Sequence, residues 1–211
     1  MMHKWKAIST LPKKSIQKIS EADSLPVNDE LITPRLEHNL LSSRECEKII
    51  ELSKSFTPTD AVVQKGLVDK YRQSEVRWLF PNEQTDWIFK RLDELTIKTN
   101  KYFKFDLLGF FTGIQIATYH EGGHYNWHMD TGLKQLSNRK LSISIQLSDP
   151  NDYSNGDLEF MAMRQTPKQI SNMRQQGTAI VFPSFLNHRV NPVDKGVRRS
   201  LVCWVTGPPF K

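Results

Sequence analysis

The chain predicts a mainly β domain with flanking helices, in which an antiparallel sandwich or barrel is backed by helices near its N-terminal end. Three observations carry this. Apolar residues recur at helical spacing in two stretches before residue 103, and from Gly109 onward the period falls to two. The later strands are short and bounded by Gly, Pro, Asn and Asp. Helices and strands are segregated rather than alternating, which excludes a βαβ fold.

The elements follow in order. The domain starts between Pro26 and Pro34, giving a basic, solvated and partly disordered extension over residues 1–30 and one domain over 31–211. Ser42-Ser43-Arg44-Glu45 reads as a capping box, a hydroxyl three residues before a glutamate. Cys46, Ile49 and Ile50 then fall at helical spacing, and Phe56-Thr57-Pro58 ends the helix. A second helix runs from Thr85 or Asp86 to about Tyr102, with Ile88, Leu92, Leu95, Thr99 and Tyr102 as its inner face. "KLSISIQL" alternates strictly, with Leu141, Ile143, Ile145 and Leu147 one way and Ser142, Ser144 and Gln146 the other. "GIQIATY", "DLEFMAM", "GTAIVFP" and "RRSLVCWVT" also read as strands. Thr57 to Pro81 fits neither period, so it is either a lid or a pair of sheet-edge strands.

Composition narrows the class. A length of 211 residues suits one well-buried domain. No apolar run approaches a membrane span, and the N-terminus lacks the pattern of a secretory signal. Cys46 and Cys203 stand far apart and read as buried, neutral thiols in a reducing compartment, so a cytoplasmic protein is expected. The net charge is +6, of which Lys4, Lys6, Lys13, Lys14 and Lys18 supply +5. The body is thus nearly neutral, which disfavours a nucleic-acid partner.

Chemistry enters at "HYNWHMDTG". In an extended strand, residues i and i+2 point to one side, so His128 and Asp130 would aim an imidazole and a carboxylate at one point. Alone, such a tripeptide is common by chance. A histidine from another strand would complete a two-histidine, one-carboxylate face that leaves positions open on Fe(II). His3 lies in the tail, His38 precedes the first helix, and His120 and His124 share the local loop. His188, in "SFLNHRVNPV" after a strand, remains. Ten residues on, Arg198 and Ser200 share a strand face with Val202 and Trp204, and a guanidinium fork beside a hydroxyl suits a carboxylate.

Taken in order, Tyr119, Tyr125, His128-x-Asp130, His188 and Arg198-x-Ser200 resemble the 2-oxoglutarate- and Fe(II)-dependent oxygenases, in the branch of the prolyl 4-hydroxylase catalytic domains. "QIATYHEGGHYNWHMD" and "NHRVNPVDKGVRRSLVCW" resemble that branch's motifs at their usual spacing, and the resemblance covers about 36 to 207. It implies a double-stranded β-helix, or jelly roll, with N-terminal helices packed on one sheet. It implies that His128, Asp130 and His188 hold iron, that Arg198 pairs with the distal carboxylate of 2-oxoglutarate, and that Tyr119 hydrogen-bonds that cosubstrate with Ser200 as a helper. It further implies dioxygen as oxidant, ascorbate as reductant, succinate and carbon dioxide as products, and hydroxylation of a prolyl or other side chain of a peptide or protein. No membrane partner is implied. If Thr57 to Pro81 forms a lid, its Tyr71, Arg72 and Trp78 would cover such a peptide, as would residues 131 to 139.

Two departures stand out. Asn155-Gly156 replaces the usual Gly-Gly, a change the turn tolerates because Asn accepts the left-handed conformation. Arg198 stands where the animal collagen enzymes of the family carry Lys, which argues against a collagen-type substrate. Three other readings compete: a hydroxylase of a free amino acid or small molecule, a zinc hydrolase on the same ligands, and a jelly-roll binding module without turnover.

Overall fold

The computed structural model describes residues 28–60, 71–163 and 165–210. The predicted N-terminal extension and the centre of the segment from Thr57 to Pro81 lie outside the described residues. Both expected helices are present. Helix α1 (Ser43–Ser53) starts at the predicted box: Glu45 N donates to the Ser42 hydroxyl, and the Ser42 amide donates to Glu45 Oε2 at 2.7 Å. Cys46 and Ile49 are buried from it. The chain then tightens into turns through Phe56, three residues beyond the helix itself. Helix α2 (Asp86–Phe103) buries Ile88, Leu92, Leu95, Thr96, Thr99 and Phe103. Tyr102 was expected inward and is instead 46% exposed, because the inner face steps four residues from Thr99 to Phe103. The Arg35 guanidinium covers its ring at 4.1 Å.

Two sheets face each other. The larger holds seven strands in the spatial order β1 (Arg35–Glu37), β10 (Ala179–Pro183), β7 (Arg139–Gln146), β13 (Arg198–Thr206), β5 (Ile114–Tyr119), β4 (Glu75–Leu79) and β2 (Thr59–Asp60). The smaller runs β3 (Arg72–Gln73), β6 (His124–His128), β11 (His188–Val190) and β9 (Leu158–Phe160), and β8 (Tyr153–Asn155) pairs with β12 (Val193–Gly196). Every pairing is antiparallel. The described parts of the segment from Thr57 to Pro81 are therefore strands, with β2 and β3 at sheet edges. "DLEFMAM" shortens to β9, since the chain turns away after Phe160 towards helix α3 (Pro167–Arg174). That helix was not expected, although Thr166 and Gln169 form a capping box with Pro167 in the first turn.

The large sheet has two interiors. Leu141, Ile143, Ile145, Leu201, Cys203 and Val205 point to the helices and join Ile49, Ile88, Leu92 and Leu95 in one core. The opposite face meets the small sheet through Ala117, Tyr119, Ile180 and Phe182. Residues 142, 144 and 146 of β7 lie on that second face and are buried although polar. Such burial is tolerated where polar groups find partners or line a site. Cys46 and Cys203 are free and buried, and burial pushes the Cys46 thiol up to about 12. Among the described residues no helix is long and apolar enough to cross a membrane.

Candidate active site

The cavity between the sheets measures about 460 Å³ and is lined by all six residues singled out in the sequence: Tyr119, His128, Asp130, His188, Arg198 and Ser200. His128 is the last residue of β6, and His188, the first of β11, pairs with it across the ladder. The extended run expected through Asp130 is corrected in one respect. The strand stops at His128, because the amides of Asp130 and Thr131 both donate to the Ser184 carbonyl, at 2.9 and 3.1 Å. The bend still turns the Asp130 carboxylate back to the histidines.

His128 Nε2 lies 3.7 Å from Asp130 Oδ1, and His188 Nε2 lies 3.6 Å from Oδ2. One ligand atom from each residue falls within 4.8 Å of the other two. Each imidazole presents Nδ1 to a carbonyl two residues earlier, Asn126 at 2.7 Å or Leu186 at 2.8 Å. That contact puts the ring hydrogen on Nδ1 and leaves the Nε2 lone pair aimed at the carboxylate. Burial, reinforced by the facing His188, brings the His128 pKa down to about 4, so the ring is neutral near pH 7. Burial alone would raise the Asp130 pKa. The two imidazoles and the Ser142 hydroxyl, which donates to Oδ2 at 2.6 Å, hold it below its ordinary value. The set is therefore three acceptors converging at a point where none is more than 9% exposed. A divalent cation satisfies all three, which is how these residues fit a metal.

Arg198 lies deeper. It is 1% exposed and heads the largest fully buried side chains. Its Nη1 donates to the Ser200 hydroxyl at 3.5 Å, while Nη2 has no partner among the described residues. Tyr119 stands directly opposite on β5, its ring centroid 5.4 Å from the guanidinium carbon. Gly156 makes room for this arginine. It sits at φ +71°, and a Cβ there would come within 3.2 Å of Arg198 Cδ and 2.8 Å of Val193 Cγ2. Asn155 beside it adopts φ +57°, as expected for the Asn-Gly turn.

In and beside the cavity stand residues beyond those six, of which Ser142 and Trp204 were given no role from the sequence and Tyr71, Arg72, Trp78 and Tyr125 were named there. Ser142 orients Asp130 and contacts the Ser184 hydroxyl at 3.0 Å. Its signal was visible, since the strict alternation of β7 puts it on the face opposite the core. Tyr125 stacks on the His128 ring at 3.5 Å and Arg72 lies over Tyr125 at 4.4 Å. Trp204, on the same strand face as Arg198, carries the Arg139 guanidinium at 3.7 Å. Tyr71 and Trp78 also line the cavity, as does Leu136 from the turn Lys134–Asn138.

Residues 114–206 match the family model described as the 2OG-Fe(II) oxygenase superfamily. A PKHD-type hydroxylase of Synechococcus sp. (strain CC9902) is 36% identical over 92 residues, which cover 44% of this chain and 40% of that protein. A PKHD-type hydroxylase of Idiomarina loihiensis is 33% identical over 92 residues, covering 44% and 41%. The chain thus spans about two fifths of the length of these curated relatives. Among solved structures, a Pseudomonas putida prolyl-4-hydroxylase superposes with a TM-score of 0.65 at 20% identity, covering 86% of this chain and 97% of that one. A Trichoplax adhaerens prolyl hydroxylase bound to a hypoxia-inducible-factor peptide gives 0.64 at 17% identity, covering 83% and 84%. A viral collagen prolyl hydroxylase from Paramecium Bursaria Chlorella virus-1, in complex with 2OG, gives 0.61 at 22% identity, covering 83% and 96%. At these identities the structures establish the jelly-roll fold.

Proposed function

We propose that this chain, whose residues 114–206 match the model of the 2OG-Fe(II) oxygenase superfamily, is a prolyl-hydroxylase-like oxygenase that hydroxylates an aliphatic C–H of a peptide or protein side chain. The observation that carries the reading is the pairing of a ready cation site with a buried guanidinium whose Nη2 has no partner among the described residues, in one cavity. His128, Asp130 and His188 would hold Fe(II), and Arg198, with Ser200 and Tyr119, would bind the distal carboxylate of 2-oxoglutarate. When bound, iron and 2-oxoglutarate supply the oxidation, in which dioxygen is consumed, 2-oxoglutarate becomes succinate and carbon dioxide, and one oxygen atom enters the substrate.

The protein's own contributions are positional. The Asn126 and Leu186 carbonyls keep both imidazoles in the tautomer that presents Nε2. Ser142 fixes the carboxylate, leaving its other oxygen toward His128. Phe182 meets the His188 ring edge-on, with 4.8 Å between centroids, and Leu158 lines the same cavity, so the site is apolar around its few polar atoms. A peptide or protein substrate is supported by the apolar lip at the mouth. Met129 and Leu136 line the cavity while 54% and 43% exposed, and Leu133 beside them is 86% exposed.

The test is anaerobic loading with Fe(II) and 2-oxoglutarate, exposure to air, and assay of succinate together with a peptide screen for a gain of one oxygen atom. Succinate formed with Fe(II) and not with Zn(II) supports the reading. Hydrolysis with Zn(II) and no succinate would replace it with the hydrolase.

A further inference from the structure

The cavity carries more positive charge than the proposed cofactors neutralise. Among the described residues its lining holds three arginines, Arg72, Arg139 and Arg198, against one acid, Asp130. An imidazole that gives its lone pair to a metal is neutral, so the protein's share in the loaded site is two positive charges. Fe(II) adds two and dianionic 2-oxoglutarate removes two, so the surplus survives full loading. Charge behind low-dielectric walls is weakly screened and focuses the field on what enters.

Arg72 marks where the surplus is presented. It is 8% exposed on β3, with Nε donating to Ser74 Oγ at 2.8 Å and Nη2 to Gln115 Oε1 at 2.9 Å. Both acceptors are neutral, and among the described residues no acid pairs with it. Arg174 and Arg189, by contrast, pair with Asp157 and Glu159. The guanidinium carbon also lies over the Tyr125 ring at 4.4 Å, and Tyr125 stacks on His128 at 3.5 Å. It is a buried cation whose described partners, Ser74, Gln115 and Tyr125, are all neutral, an arrangement that favours a carboxylate arriving from outside.

Building on the oxygenase reading above, we propose that the substrate carries a carboxylate and that Arg72 receives it. One ring, Tyr125, separates the guanidinium from His128 through stacking contacts of 4.4 and 3.5 Å, a span that about two extended residues cover. The acid therefore lies next to the oxidised carbon, as the side chain of an adjoining Asp or Glu in a peptide or as the α-carboxylate of a small amino acid.

The test uses the full chain loaded with Fe(II) and 2-oxoglutarate without oxygen, titrated calorimetrically with matched probes. One arm compares Ac-Glu-Pro-Glu-NH2 with Ac-Gln-Pro-Gln-NH2, and the other compares N-acetylproline with N-acetylprolinamide. The acid of one arm should bind at least about tenfold more tightly than its amide at low salt, and the preferring arm identifies the source. Arg72→Gln should bring that ratio to near unity without altering 2-oxoglutarate binding, and Arg72→Lys should restore part of it. Equal binding of acid and amide in both arms, no binding of either acid, or a preference that survives Arg72→Gln overturns the proposal. Binding of 2-oxoglutarate itself is read in the same cells. Its failure would sink the oxygenase reading, whereas its success beside equal acids and amides would sink only this inference.

Discussion

Replacing Arg198 by Met removes a charge while keeping the side-chain stem, and the site geometry predicts two effects of different kind. The guanidinium is 1% exposed, Nη2 has no partner among the described residues, and Nη1 reaches only the Ser200 hydroxyl at 3.5 Å. If 2-oxoglutarate places its distal carboxylate there, the variant leaves that carboxylate buried without its cation. Losing one partner of a buried charged pair costs about 2–5 kcal/mol, which is roughly 30-fold to several-thousand-fold in Kd. The ligand-free protein gains instead, because an uncompensated buried cation is costly and an apolar side chain of similar shape is not. Arg198→Met should therefore match or exceed the wild type in Tm when metal and 2-oxoglutarate are absent. Adding 2-oxoglutarate at a hundredfold excess over Kd to the wild type, loaded with Fe(II) under nitrogen, should stabilise it by about 2.7 kcal/mol. For a domain of this size that is about 5–10 °C. The variant should show little of that shift. Anaerobic thermal denaturation with and without 2-oxoglutarate, with calorimetric titration alongside, reads both effects. An unchanged Kd, or a thermal shift equal to the wild type's, would refute the assignment of Arg198.

Three further outcomes follow from other contacts. Ser142→Ala removes the 2.6 Å hydrogen bond to Asp130 and should weaken Fe(II) or Co(II) binding about 10- to 100-fold in an absorbance titration, with little change in metal-free Tm. Gly177→Ala puts a Cβ 1.9 Å from the Leu41 carbonyl oxygen at φ +77°, so it should lower stability to urea by about 2 kcal/mol or more. Glu45→Ala removes the capping-box carboxylate and should cost about 1 kcal/mol at neutral pH. The Ser42 amide and hydroxyl hold the Glu45 pKa below its ordinary 4.5, so the contribution is complete above that value and is lost as pH falls through the lower folded one. Wild-type and Glu45→Ala urea midpoints should thus converge on acidification, and a gap that stays constant to pH 2 would count against the cap.

Much of this was legible because the informative residues obey short-range rules. The Ser42–Glu45 box depends on neighbours three residues apart, and the alternation of β7 and β13 follows from the pleat alone. The convergence of His188 on His128 was accessible only by elimination and by the family's motif spacing, since no local rule brings residues 60 positions apart into one ladder. What escaped the sequence has the same origin. Arg72 reaches Gln115 across 43 positions, and Tyr71 donates to the Trp127 carbonyl across 56. Their partners are set by how β3 docks on β6, a pairing of only two residues that leaves almost no periodic signal. Helix α3 was missed for a different reason. Its eight residues bury only Met173, so no apolar stripe announces it, and the Thr166 box was its one visible mark.

The way β7 and β13 are used ties folding to the site more tightly than either alone would require. Leu141, Ile143, Ile145, Leu201, Cys203 and Val205 hold the helices, and the residues between them, Ser142, Ser144, Gln146, Arg198 and Ser200, face the cavity or its walls. Register is then specified twice. A slip of one residue in β13 would turn Ser200, Val202 and Trp204 towards the helices and would also withdraw Arg198 from its position opposite Tyr119. The polar inner face, costly in an ordinary core, is tolerated because the outer face of the same strands is an unbroken apolar surface. The site's precision is thus inherited from hydrophobic packing on the far side of the sheet. Core substitutions beneath β7 should accordingly disturb ligand geometry before they unfold the domain, since the strand cannot shift towards the helices without moving Ser142 away from Asp130.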